Sequence, residues 1–238
     1  MTMQNNSFEN LKAFLEKCAK LFDEMKRYKI ANSVIKFAVK KYPNNNDYEE
    51  VSVKVSLINL LYSTRIQAWR KVAEHILNLN NLDEMIQKGN IEIIEKMRYF
   101  NINGKERGCY SFATKYANWH NQKGFPIFDN LVERLLRKIN KKYNFYKSKD
   151  KPKEEKMTQE NLKKYSIYKN VIDSLINELN LPSEEFKYKK IDQALWVYAK
   201  YKDNAKNKKK KKEEDKSIKE IKDDIKVLED KYKIKIDY

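Results

Sequence analysis

A chain of 238 residues with 36% charged side chains, four Gly and four Pro is long enough for one or two domains with a real core, and its few turn residues favour long helices. It has no apolar run of about 18 residues that could span a membrane, and MTMQNNSFEN lacks an apolar leader core, so secretion is not expected. Cys18 and Cys109 are too few for a disulfide framework, a four-cysteine zinc site or an all-cysteine iron–sulfur cluster, and His75 and His120 have no cysteine beside them, so no metal or other cofactor is expected.

In chain order, Phe8, Leu11, Phe14, Leu15, Cys18, Leu21, Phe22 and Met25 fall at helical spacing over 8–25, with Ser7 as the expected cap. YPNNNDYEE, residues 42–50, is a polar break. Val51, Val55, Ile58 and Leu61 predict one helix ending near Tyr62-Ser63-Thr64, and Ile66, Trp69, Ala73, Ile76 and Leu77 predict the next. Short helices are expected over 82–88 and 90–100, a Gly-containing turn at NINGKERG (101–108), and helices over 109–121, 130–142, 160–180 and 188–201. KSKDKPKEEK, 147–156, reads as a solvated loop. No repeat and no sustained β-alternation appears, so the expected fold class is all-α.

The last part of the chain reads as separate. Lys208–Lys212 is a five-lysine run expected to be a disordered linker, and Ile218, Ile221, Ile225, Leu228 and Tyr232 then follow a 3,4,3,4 spacing. That pattern spans about two heptads, short for a coiled coil, so the helix docks back on the body or pairs with a second copy. The expected division is therefore a body over 1–204 and a linker with an amphipathic helix over 205–238.

Charge narrows the partners. Lys and Arg number 51 against 34 acids, a net of +17, and residues 205–238 hold 13 Lys against nine acids. The remaining +13 lies on 1–204, and a body that basic attracts polyanions, of which nucleic acid is the commonest in the cytoplasm. Within the body, helix 90–100, NINGKERG and helix 109–121 form a helix, a short Gly-containing hairpin and a second helix. The free amides at the second helix start can hold a phosphate, with Lys105 and Arg107 adding charge nearby and Gly104 and Gly108 freeing the turn. An ordinary surface turn is the alternative.

Downstream, Ser111 lies 18 residues before Asp129, and FPIF leads in extended because Pro126 pushes its predecessor out of the helical region. Asp129 opens the next helix and is a natural N-cap. SFATKYANWHNQKGFPIFDNLVERLLRK also resembles the core of the helix–hairpin–helix DNA glycosylase superfamily, most closely its adenine-DNA glycosylase branch. Asp129, Val132 and Arg134 match that family's aspartate and helix start, and Ala113 its small packing residue. NLLYSTRIQAWRKVAEHIL is more weakly similar to the family's early helix and DNA-facing loop, which brings Tyr62, Ser63, Thr64 and Arg65 to the DNA. The similarity is specific over about 30 residues and weak over roughly 51–140. NINGKERG replaces the usual LPGxG hairpin. The family's cluster cysteines are missing, its catalytic lysine falls at Ser111, and its early-helix glutamate has no match, the nearest positions being Ile58 and Asn59.

The resemblance implies two helical lobes flanking a basic cleft with Asp129, and a monofunctional DNA glycosylase acting on double-stranded DNA as a cytoplasmic monomer. Lys115, one turn beyond Ser111 on the same face, leaves a lyase step open. A base must leave the stack before its bond is cleaved, and a carboxylate then stabilises the oxocarbenium-like state or orients water. Asp129 takes that role, Ser111 positions water or phosphate, Tyr62 fills the vacated gap, and Tyr110, Trp119 and Trp69 either stack on the base or belong to the core. A helix–hairpin–helix protein that binds nucleic acid without catalysis is the alternative. The identity of the base and the choice between DNA repair and antiviral defence are not encoded in these residues.

Overall fold

Apolar and polar faces at helical spacing fold most of the described residues into helices, and the computed structural model describes residues 3–147, 152–181, 188–209 and 216–238. Those residues form α1 (Met3–Glu24), α2 (Lys26–Lys41), α3 (Tyr48–Leu61), α4 (Trp69–Leu77), α5 (Leu82–Gln87), α6 (Glu92–Arg98), α7 (Tyr110–His120), α8 (Asn130–Tyr143), α9 (Tyr165–Glu178), α10 (Tyr188–Lys209), α11 (Lys216–Glu220) and α12 (Lys222–Tyr232). A two-stranded ribbon, β1 (Tyr99–Ile102) and β2 (Lys105–Gly108), completes them, and the fold is all-α. No helix among the described residues is long and apolar enough to cross a membrane.

The chain divides into two compact units, Met1–Lys29 with Asp129–Tyr238, and Ile30–Phe128. In the first, α1 lies along α10, which also packs on α8. Leu11, Phe14, Leu15 and Cys18 of α1 are fully buried, and Phe14 meets Tyr198 edge-on with ring centres 4.8 Å apart. Ser7 lies inside α1 rather than at its cap, because the helix starts at Met3.

The C-terminal segment belongs to this core. The division expected at 204/205 falls inside α10, which continues to Lys209, while Lys210–Lys212 of the lysine run lie outside the described residues. Ile218, Ile221 and Ile225 are buried, as are Ile234 and Ile236 beyond the helix, and α12 lies against α1. The buried side of α12 also brings Glu229 to α10, where it accepts hydrogen bonds from Tyr198 Oη (2.6 Å), Tyr201 Oη (3.1 Å) and Lys202 Nζ (3.0 Å). Burial, reinforced by this carboxylate, pushes the Tyr201 phenol up to about 12.

In the second unit α3 packs on α4, and α7 lies against α6, α5 and α3. Val55, Ile58, Val72, Ile76, Ile93, Ile94, Met97, Phe112 and Ala117 form its apolar centre. One polar knot is buried with them. Lys54 donates to the carbonyls of Tyr42 (2.9 Å) and Asn44 (2.6 Å) and to Asn45 Oδ1 (2.7 Å). Asn45 Oδ1 also accepts from Tyr116 Oη, and Asn45 donates through its backbone and amide to Asp83. The polar break at 42–47 is thus tied into the core, as buried backbone carbonyls require.

Candidate functional site around residues 125–129

NINGKERG, read from the sequence as a short Gly-containing hairpin, lies in a two-stranded antiparallel β-hairpin. Asn103 and Gly104 both have positive φ (50° and 75°), the requirement of a tight two-residue hairpin turn, and Ile102 pairs with Lys105 across it. The ribbon closes at its base, where Cys109 N donates to Arg98 O at 2.7 Å. This moves the charges expected at the start of α7. Lys105 is four extended residues from Cys109, about 13 Å at the usual rise, and sits at the exposed tip. Arg107 and Gly108 are exposed on the same strand. At the hairpin base, Arg98 lies over the rings of Tyr99 (4.7 Å) and Tyr110 (4.3 Å).

Residues 125–128 form a buried segment outside any helix or strand, with Phe125 at 0% and Phe128 at 5% exposure. Irregular backbone in a core needs partners for its polar groups, and one face of α7 supplies them. Asn118 Nδ2 donates to Phe125 O (2.7 Å), and Phe128 N donates to Thr114 Oγ1 (3.0 Å). Ser111 Oγ (3.1 Å) and Lys115 Nζ (3.2 Å) both donate to Phe128 O, and Lys115 Nζ also donates to Ser111 Oγ (2.6 Å). Positions 111, 114 or 115, and 118 recur one turn apart, so a single helix face grips the segment. Thr114 and Asn118 escaped sequence reasoning. Two polar residues on the buried side of an otherwise apolar helix were the available signal.

Asp129 follows the gripped carbonyl directly. It is half-buried, extended (φ −138°, ψ 137°), and its Oδ1 accepts the Leu131 amide at 2.8 Å, capping α8 as its residue type predicts. Within the same unit Arg134 pairs with Asp203 (3.3 Å) and lies 5.5 Å from the Tyr238 ring, whose hydroxyl is 3.4 Å from Leu131 O. Burial pushes the Tyr238 phenol up to about 12, and the Asp129 charge acts in the same direction.

Several other expected residues meet around α7. Trp119 is 7% exposed and donates its indole N–H to Tyr62 Oη (3.2 Å), while Lys115 Nζ lies 5.4 Å from the Tyr62 ring. Tyr62 is half-buried with its hydroxyl engaged, a packed position rather than the projecting one that filling a vacated base stack requires. Tyr110 is half-buried against Phe128, ring centres 4.4 Å apart, and burial raises its phenol well above the ordinary range. Trp69 opens α4 and carries Arg70 over its ring at 4.8 Å. Ser63 and Arg65 are exposed with positive φ (51° and 61°), in a loop stitched by Asn59. The Asn59 side chain accepts from Thr64 Oγ1 (2.7 Å) and Ile66 N (2.9 Å) and donates to Ile66 O (2.8 Å). Asn59 therefore shapes the loop, a task an acid at that position could not fill because it has no N–H to donate.

Residues 14–124 match the family described as the HI_0787_N N-terminal domain. An uncharacterized protein of Haemophilus influenzae (strain Rd) is 36% identical over 154 residues, which cover 64% of this chain and 67% of that protein. No solved structure matches.

Proposed function

The chain belongs to the family of the Haemophilus influenzae protein it matches, and we propose that it is a monofunctional DNA N-glycosylase working in the cytoplasm as a monomer. It flips a damaged or modified base out of double-stranded DNA and hydrolyses the N-glycosidic bond, leaving an abasic site. The role is repair, or defence against phage whose DNA is modified. The observation that carries the reading is the way Asp129 is held: it is half-buried, and its carboxylate is fixed on the Leu131 amide at the start of α8.

A carboxylate held so firmly is preorganised. Positive charge develops on the sugar as the base departs, and a fixed anion stabilises that state without reorganising. Ser111 and Lys115 hold Phe128 O, and the engagement of the Lys115 ammonium supports a reaction without a lyase step. The +13 on residues 1–204 draws in the duplex, and Lys105 and Arg107 on the exposed strand β2, with Ser63, Thr64 and Arg65 in the loop after α3, contact phosphates. Tyr110 is the candidate to stack on the extruded base, for which its ring must leave Phe128 and Arg98.

A second reading, nucleic-acid binding without catalysis, draws support from the cap itself, since helix capping alone accounts for an aspartate at this position. Duplexes carrying a panel of modified bases, assayed for free base by mass spectrometry, separate the two. Release of a base with the strand left intact supports the glycosylase; binding with no base released from any duplex supports the second reading.

A further inference from the structure

Three large apolar side chains of α2 face solvent: Ile30 is 63% exposed, Val34 38% and Phe37 71%. They recur at i, i+4 and i+7, which aligns them in one stripe, while Ile35 and Ala38 on the other side of the helix are buried. The helix is thus anchored by one apolar face and presents another. One more turn along the exposed stripe lies Lys41, and Lys36 and Lys40 flank it. All three lysines are exposed, none forms an ion pair among the described residues, and residues 30–41 contain no acid.

The chemistry of this face selects its occupant. Nucleic acid would satisfy the lysines and leave Ile30 and Phe37 in water. A second copy offers no acid from its own residues 30–41 to meet these lysines and adds another net charge of +17. An acyl layer would take the three apolar side chains, but Lys41 lies on their line and its ammonium would have to snorkel out of the layer. A helix with its own apolar stripe ending in a carboxylate satisfies all four positions, and i, i+4, i+7 anchors are the pattern by which helices dock on one another. We propose that α2 docks an acidic amphipathic helix of a partner protein, seated on Ile30, Val34 and Phe37 with one carboxylate on Lys41. This surface is independent of the glycosylase reading.

The test uses the full chain and a synthetic capped peptide of about 20 residues, long enough to hold a helix. The peptide carries Leu at i, i+4 and i+7, Glu at i+11, and Ala or Gln elsewhere. Fluorescence anisotropy is expected to show saturable binding, weakened about tenfold or more by Phe37→Ser, since one central aromatic anchor carries that much. Phe37 is exposed, so the variant keeps its fold, which circular dichroism checks. Lys41→Glu is expected to weaken binding similarly, and a peptide with Lys in place of Glu restores it. Absence of binding, binding indifferent to Phe37→Ser, or loss in Lys41→Glu without rescue overturns the proposal. So does sedimentation with phosphatidylserine vesicles that Phe37→Ser abolishes while the peptide does not bind.

Discussion

Ile225 and Val227 sit two residues apart on α12 and ought to differ sharply in what they contribute. Ile225 is 0% exposed and Val227 is 64% exposed. Truncating a fully buried Ile to Ala removes its transfer free energy and leaves a cavity, about 2–5 kcal/mol together. Ile218→Ala, also at a fully buried position, has the same expected cost. Truncating exposed Val227 is expected to stay within about 0.5 kcal/mol. Against a typical stability of about 5–15 kcal/mol, losing both isoleucines consumes a large share. Urea unfolding followed by circular dichroism reads the difference, with the midpoint falling for Ile218→Ala and Ile225→Ala and holding for Val227→Ala. If the two isoleucine variants unfold with the Val227→Ala midpoint, the C-terminal helix only rests on the surface and the core assignment is wrong.

His120 gives a pH signature. Burial pushes its imidazole down to about 4, its Nε2 is buried without a partner, and its ring stacks on Tyr116 at 4.6 Å. The unfolded chain takes up that proton first, so stability is expected to fall between about pH 6.5 and 4, by at most about 3 kcal/mol, and His120→Gln to flatten the dependence in urea titrations at several pH values. DNA affinity is expected to drop steeply with salt, and Lys105→Ala with Arg107→Ala to weaken binding to all sequences alike; a flat salt response would contradict the electrostatic account. Lys115→Met removes a buried ammonium that grips Phe128 O, and is expected to cost about 1–3 kcal/mol in the same unfolding assay. Borohydride treatment of the wild type with active DNA is expected to trap no covalent adduct; an adduct through Lys115 would make the enzyme bifunctional.

What the sequence disclosed, and what it hid, follows range. Asp129 was legible as a cap because the signal is local: a short acid before an amphipathic run. The long helices other than α2 were legible for the same reason. The ribbon at 99–108 was announced by Asn103-Gly104, yet its strands are four residues each, too short for alternation to register. α2 carries apolar residues on both faces, Ile30, Val34 and Phe37 on one and Ile35 and Ala38 on the other, so no single stripe marks it. The partners of Lys54, Asn45 and Asp83 lie up to 71 residues apart, and those of Thr114 and Asn118 up to 14. Nothing local announces such pairs. The C-terminal helix looked separable because the lysine run before it resembles a linker, while the burial of Ile234 and Ile236 after it depends on surfaces formed far upstream.

The central claim, that Asp129 does chemistry and not only capping, meets its most direct test in base release by Asp129→Asn on a duplex the wild type cleaves. Asn caps nearly as well as Asp, so folding and DNA binding are expected to persist. The charge that would stabilise the sugar cation is gone, and the rate is expected to fall about a hundredfold or more. Base release at the wild-type rate from Asp129→Asn would contradict the account and leave Asp129 a helix cap alone.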